Sequence, residues 1–153
     1  MEIKRDIHLD RLIKSKHNGM IKVVTGIRRC GKSYLLMNLF RQHLLDDGVS
    51  DNHIVMLDLE NRRNKRLRAP DALLEWIDSQ IVEYKASDDV PKEEWYYVML
   101  DEVQLVPEFE DVLNSYLSIR NVDVYVTGSN SRFLSKDVIT EFRGRGHEIH
   151  VTP

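Results

Sequence analysis

One cysteine, Cys30, stands in a chain of 153 residues. That count excludes any intrachain disulfide, and nothing in it points to an oxidising compartment. Apolar runs long enough to cross a bilayer are also missing. The opening residues, Met1-Glu2-Ile3-Lys4-Arg5-Asp6, have no apolar signal-peptide core, so a cytoplasmic protein with no membrane contact is expected. Charge of one sign is not in excess. The net charge of −3 describes a mixed surface and gives no global argument for nucleic acid. There is no internal repeat and no low-complexity tract. The six histidines lack metal-ligand spacing, and Ser129 does not sit in a G-x-S-x-G elbow, so neither a metal centre of that type nor a serine hydrolase is indicated.

What the chain has is a regular alternation. Hydrophobic residues make up 42%, enough for a core, and the length suits one domain, residues 1–153. Ile21 to Thr25, Ile54 to Leu59, Tyr96 to Leu100 and Val122 to Val126 read as buried strands, and His147 to Val151 as a fifth. Between them lie helical patterns. One runs from Lys32 to Leu45; a second opens at Pro70-Asp71 and carries Leu73, Leu74, Ile77, Ile81 and Tyr84 at helical spacing. A third opens at Pro107 and runs through Leu117, and a short fourth follows Ser131. This order predicts an α/β fold with a five-stranded, mostly parallel sheet flanked by helices. Ligands in such folds sit beyond the carboxyl ends of the strands, which directs attention to the residues after Thr25, Leu100 and Val126.

After the first strand comes Gly26-Ile27-Arg28-Arg29-Cys30-Gly31-Lys32-Ser33, followed by Tyr34. It fits the phosphate-binding pattern G-x-x-x-x-G-K-[ST] at every fixed position. The glycines let backbone N–H groups approach phosphates, and the following helix offers its positive end. Lys32 is expected at the β- and γ-phosphates, and Ser33 as a magnesium ligand. Cys30 occupies a free position of the pattern and reads as a small filler. The third strand then delivers Asp101-Glu102. Asp101 is expected to hold the magnesium shell opposite Ser33, and Glu102 to act as general base on an attacking water. An extra strand between the two motifs marks the P-loop NTPase class with a catalytic glutamate. Asn64-Lys65-Arg66-Leu67 lacks the aspartate of a guanine reader, so ATP is favoured. The fourth strand leads into Thr127, Ser129 and Asn130, any of which can contact the γ-phosphate or the water.

At this point the chain resembles the AAA+-type ATPase domain of many bacterial and archaeal proteins. The strings that carry the resemblance are Val24 to Ser33, Leu100-Asp101-Glu102-Val103-Gln104, Val126 to Ser131, and Gly144-Arg145. The resemblance implies ATP binding and hydrolysis with Mg2+, coupled to conformational change in attached domains or partners. Such proteins usually continue into a helical region and a restriction-endonuclease-like domain, so this chain looks like a fragment holding the ATPase core. The family also suggests Arg145 as an arginine finger given to a neighbouring subunit, and hence self-association in the full-length protein. Two other functions stay open. One is a nucleotide-gated switch with little hydrolysis; the other, weaker, is a small-molecule kinase. The basic run Asn61 to Arg68 admits nucleic acid as a partner but lacks interleaved aromatics for base stacking and reads as a solvated loop.

Overall fold

A computed structural model describes residues 2–26, 31–129, 142 and 145–151. The chain opens with a helix that the sequence reading did not anticipate, α1 (Glu2–Lys14). Its signal was a single apolar stripe, Leu9, Leu12 and Ile13, too short to stand out against a charged background. Strand β1 (Ile21–Thr25) follows, wholly buried. The helix after the phosphate-binding pattern runs as α2 (Lys32–Tyr34), a π-helical segment Leu35–Phe40 and α3 (Arg41–Asp46). Next come β2 (Ile54–Asp58), a 3-10 segment Arg62–Arg68, α4 (Pro70–Gln80), β3 (Tyr96–Asp101), α5 (Phe109–Asn114), a 3-10 turn Ser115–Ser118, β4 (Val122–Thr127) and β5 (Gly146–His150).

The five strands form one sheet in the order β2-β3-β4-β1-β5, and every pairing is parallel. β4 therefore lies between the strand that leads into the phosphate-binding pattern and the strand that ends in Asp101. This is the additional-strand arrangement expected from the spacing. Both faces of the sheet are covered. α4 and α5 supply Leu73, Ile77, Phe109, Val112 and Leu113 to one core, which also receives Phe142. Leu12 of α1, with Leu35, Leu36, Phe40 and Leu44, closes the other face. Among the described residues no helix is long and apolar enough to cross a membrane.

Most strand ends shift by one residue from the periodicity, and the helix boundaries shift further. α4 stops at Gln80, because Ile81 turns extended (φ −121, ψ 158). Tyr84 therefore leaves the helix, and its backbone N–H donates to Asn121 Oδ1 at 3.0 Å. The buried Asn121 amide also donates to the carbonyls of Val82 and Glu94, offering this segment partners that a helix would otherwise supply. The helix expected from Pro107 begins at Phe109, since Glu108 is left-handed (φ 57) and cannot start a right-handed turn. β5 begins one residue early, at Gly146. The helix expected after Ser131 lies outside the described residues.

Beneath the apolar layers lies a buried ion pair. Lys22 of β1 is fully buried, and its Nζ contacts Asp123 Oδ1 of β4 at 2.5 Å. Asn18 Oδ1 accepts from the same ammonium at 2.9 Å, while Tyr125 OH and His17 N–H donate to Asp123 Oδ2. The network ties the loop after α1 to the sheet. Burial pulls the Lys22 ammonium below its ordinary pKa, against the opposing pull of Asp123.

Candidate active site at the carboxyl edge of the sheet

Parallel pairing brings the ends of β1, β3 and β4 to one edge. Val24 is level with Thr127, and Leu100 with Val126, so Thr25, Asp101 and Thr127 emerge side by side. Gly31 begins the helix in a left-handed conformation (φ 93), which suits a residue without a Cβ. Lys32 and Ser33 then point back toward the end of β3. The Ser33 hydroxyl lies 2.8 and 3.0 Å from the two carboxylate oxygens of Asp101. Lys32 Nζ lies 3.3 Å from Glu102 Oε2, and both side chains are nearly buried.

Glu102 is held by its backbone as much as by its partners. Its residue is left-handed (φ 58, ψ 51), so the chain turns sharply as it leaves β3. Ser129 Oγ and Gln104 Nε2 both donate to Glu102 Oε1, each at 2.7 Å. Thr127 is wholly buried. Its hydroxyl donates to Asp101 Oδ1 and accepts from the Glu102 backbone N–H at 2.9 Å, joining the two acidic residues through β4.

The electrostatics separate the two carboxylates. Burial raises the Asp101 pKa; the Thr127 and Ser33 hydroxyls oppose the rise, and the charges of Glu102 and Asp58 reinforce it. Burial pushes Glu102 up as well, but Gln104, Ser129 and Lys32 together outweigh it, and the net shift is downward. Glu102 is thus held as the anion, the form a proton acceptor needs. Asp58 is a participant that sequence reasoning passed over. Its register partner is Asp101, and the signal was the repeated Leu-Asp ending of β2 and β3. Its charge reinforces the upward shift of Asp101 from the neighbouring strand end. The pairing of a hydroxyl with a carboxylate at Ser33 and Asp101 is an oxygen donor set of the kind magnesium takes.

Of the expected site residues, Lys32, Ser33, Asp101, Glu102, Thr127 and Ser129 converge, with Gly26 and Gly31 at the two ends of the loop. Tyr34 is half-exposed and lines a cavity of about 480 Å³ beside Ser33, Asp58 and Asp101. Ile27, Arg28, Arg29, Cys30 and Asn130 lie outside the described residues. Arg145 is elsewhere. It precedes β5, at the edge where the strands begin, and its Nε and Nη2 donate to the Gly19 carbonyl at 3.0 and 2.7 Å. It does not approach the Lys32–Glu102 cluster of its own chain.

A family model described as an AAA domain matches residues 18–153. The chain belongs to the AAA domain family. As an AAA domain it is a nucleotide-binding module of the ATPase type, and its fold recurs in solved structures. It superposes on the structure of Drosophila ORC bound to DNA with a TM-score of 0.62, at 9% identity, covering 100% of this chain and 94% of that one. For Cdc6p from Pyrobaculum aerophilum the TM-score is 0.57 at 13% identity, covering 95% and 45%. In sequence, this AAA domain is 32% identical over 153 residues to an uncharacterized protein of Haemophilus influenzae, covering 99% of the chain and 36% of the relative. It is 29% identical over 151 residues to one of Methanocaldococcus jannaschii, covering 99% and 29%. The chain thus spans about a third of the length of the curated relatives it matches.

Proposed function

We propose that this domain binds ATP with Mg2+ and hydrolyses it, driving conformational change in attached domains or partners. The observation that carries the reading is the convergence of Lys32, Ser33, Asp101 and Glu102 at one sheet edge, beyond a complete phosphate-binding pattern. Ser33 and Asp101 are the residues that would hold magnesium, which when bound neutralises charge on the phosphates. Lys32, drawn to the β- and γ-phosphates, leaves Glu102 Oε2 free. Glu102 then accepts a proton from water as the water oxygen bonds to the γ-phosphorus. The bond from that phosphorus to the β–γ bridging oxygen breaks, and ADP and phosphate leave. Ser129 keeps Glu102 oriented, and Thr127 fixes the Asp101–Glu102 step from beneath. Arg145 belongs to this proposal only in trans, as a cation given to a neighbouring copy. Relatives longer than this chain support a larger polypeptide, in which the expected restriction-endonuclease-like domain is one candidate for the part that moves.

A second reading, a switch that binds ATP and barely turns it over, has one observation in its favour: Glu102 is fully engaged by Lys32, Ser129 and Gln104. Phosphate release separates the two. Lys32→Ala is expected to lose ATP binding by calorimetry. Glu102→Gln is expected to keep it and to lose turnover by ~10²–10⁴-fold. Wild-type turnover from Glu102→Gln would reduce Glu102 to a loop carboxylate. Repeating the assay with DNA tests the exposed cations Arg62, Arg63, Lys65 and Arg66 as a nucleic-acid contact.

A further inference from the structure

Gln104 stands two residues beyond Glu102 in a 3-10 turn (Val103–Leu105), and the hydrolytic reading gives it no part. Its amide has two ends with opposite fates. Nε2 donates to Glu102 Oε1 at 2.7 Å. Oε1 is shut off from solvent and has no hydrogen-bond partner among the described residues. A buried carbonyl left unpaired costs stability, and an apolar side chain of the same length would avoid that cost. The amide is therefore a poor choice for packing, and what it does well is hold the carboxylate.

We propose that Gln104 is a positioning residue for hydrolysis, fixing Glu102 Oε1 so that Oε2 is the oxygen presented to the attacking water. The inference rests on the reading of Glu102 as general base. Three side-chain donors hold the Glu102 carboxylate: Lys32, Ser129 and Gln104. Lys32 is the one that the triphosphate withdraws. Ser129 and Gln104 both remain, and both grip the same oxygen, Oε1. Two donors on one oxygen fix the plane and direction of the carboxylate, so that its second oxygen is held in one place. Ser129 reaches it from beyond β4 and Gln104 from beyond β3, so the two donors lock the side chain between neighbouring strands. Orientation of this kind is felt in the transition state and not in ground-state ATP binding.

The test uses the full chain, with Gln104→Met, which keeps the length of the side chain and removes both polar ends, and Gln104→Leu, which removes the donor with a shorter apolar side chain. Both are expected to bind ATP as wild type does, to keep KM within about twofold, and to lose kcat by about tenfold or more. Affinity for ADP with aluminium fluoride, which mimics the transferring phosphoryl group with its water in place, is expected to fall by a similar factor. Gln104→Met is also expected to melt close to the wild-type temperature, because the relieved Oε1 offsets the donor lost from Glu102. A merely structural role predicts the reverse, lower melting with kcat intact. Wild-type kcat in either variant, while Glu102→Gln is inactive, overturns the positioning role and leaves the hydrolytic reading standing. Turnover retained by Glu102→Gln removes the hydrolytic reading and this inference together.

Discussion

Thr127→Val tests the junction between Asp101 and Glu102 with almost no change of shape. Thr127 is wholly buried, and its hydroxyl serves two neighbours: it donates to Asp101 Oδ1 and accepts from the Glu102 N–H. Valine leaves that N–H without an acceptor in the interior, at about 1–3 kcal/mol. It also takes a donor from a charged carboxylate, a bond that contributes about 1.5–3 kcal/mol. The new methyl returns roughly 0.8 kcal/mol through apolar burial. Neighbouring terms do not add fully, so the net loss is about 2–4 kcal/mol. At a slope of about 2 kcal/mol/M, the urea midpoint falls by about 1–2 M. Thr127→Ser is the control. It keeps the hydroxyl and loses one methyl, about 1 kcal/mol. Both variants are to be unfolded in metal-free buffer, followed by far-UV circular dichroism. Midpoints for valine and serine that coincide would mean that the hydroxyl carries no structural weight, and the bridging role assigned to Thr127 would be wrong.

The buried pair gives a second test: Asp123→Ala is expected to cost about 3–5 kcal/mol, since it strands the Lys22 ammonium, whereas Lys22→Met with Asp123→Leu recovers most of the loss. Urea midpoints decide it, and a double variant no more stable than the single one refutes it. His17 gives a pH dependence. Burial, aided by Lys16 and Lys22, lowers its pKa below 6.5 against the pull of Asp123 and Asp47. The unfolded chain therefore takes up the proton first, so the His17 contribution is present above pH 6.5 and is lost as pH falls toward the folded-state pKa. His17→Gln is expected to flatten the fall of stability below pH 6.5, and an unchanged slope assigns the effect elsewhere. Arg145→Ala is expected to change stability by less than ~1 kcal/mol and, in an oligomer, to lower turnover while sparing ATP binding. Unchanged turnover there removes the trans finger.

The strands and the phosphate-binding pattern were legible because each rests on local signals. Four strands are nearly continuous apolar runs, interrupted by Lys22 in β1 and Asp123 in β4, and the motif residues are fixed by spacing. The placement of β4 between β1 and β3 followed from the class, not from any residue in β4. What sequence could not give were features decided by distant partners. Asn121 ends α4 from forty residues away, so the apolar spacing of Ile81 and Tyr84 read as more helix. Gln104 stood within a recognisable string, yet its target is visible only once the chain turns at Glu102 as it leaves β3. Thr127, Ser129 and Asn130 were equivalent as polar residues after a strand. In the structure Thr127 faces inward to two acidic residues and Ser129 faces Glu102, a division set by the register of β4.

The left-handed backbone at Glu102 carries an evolutionary consequence. A residue with a Cβ in that conformation gives up roughly 1 kcal/mol that glycine would recover, and asparagine part of it. Selection for stability alone therefore presses position 102 away from glutamate, and only a use for the carboxylate resists. In a lineage that keeps the nucleotide as a fixed structural ligand, this is the position where the sequence is free to relax first. Glycine or asparagine after the aspartate of β3, with Lys32 and Ser33 retained, would then mark descendants that bind without turning over.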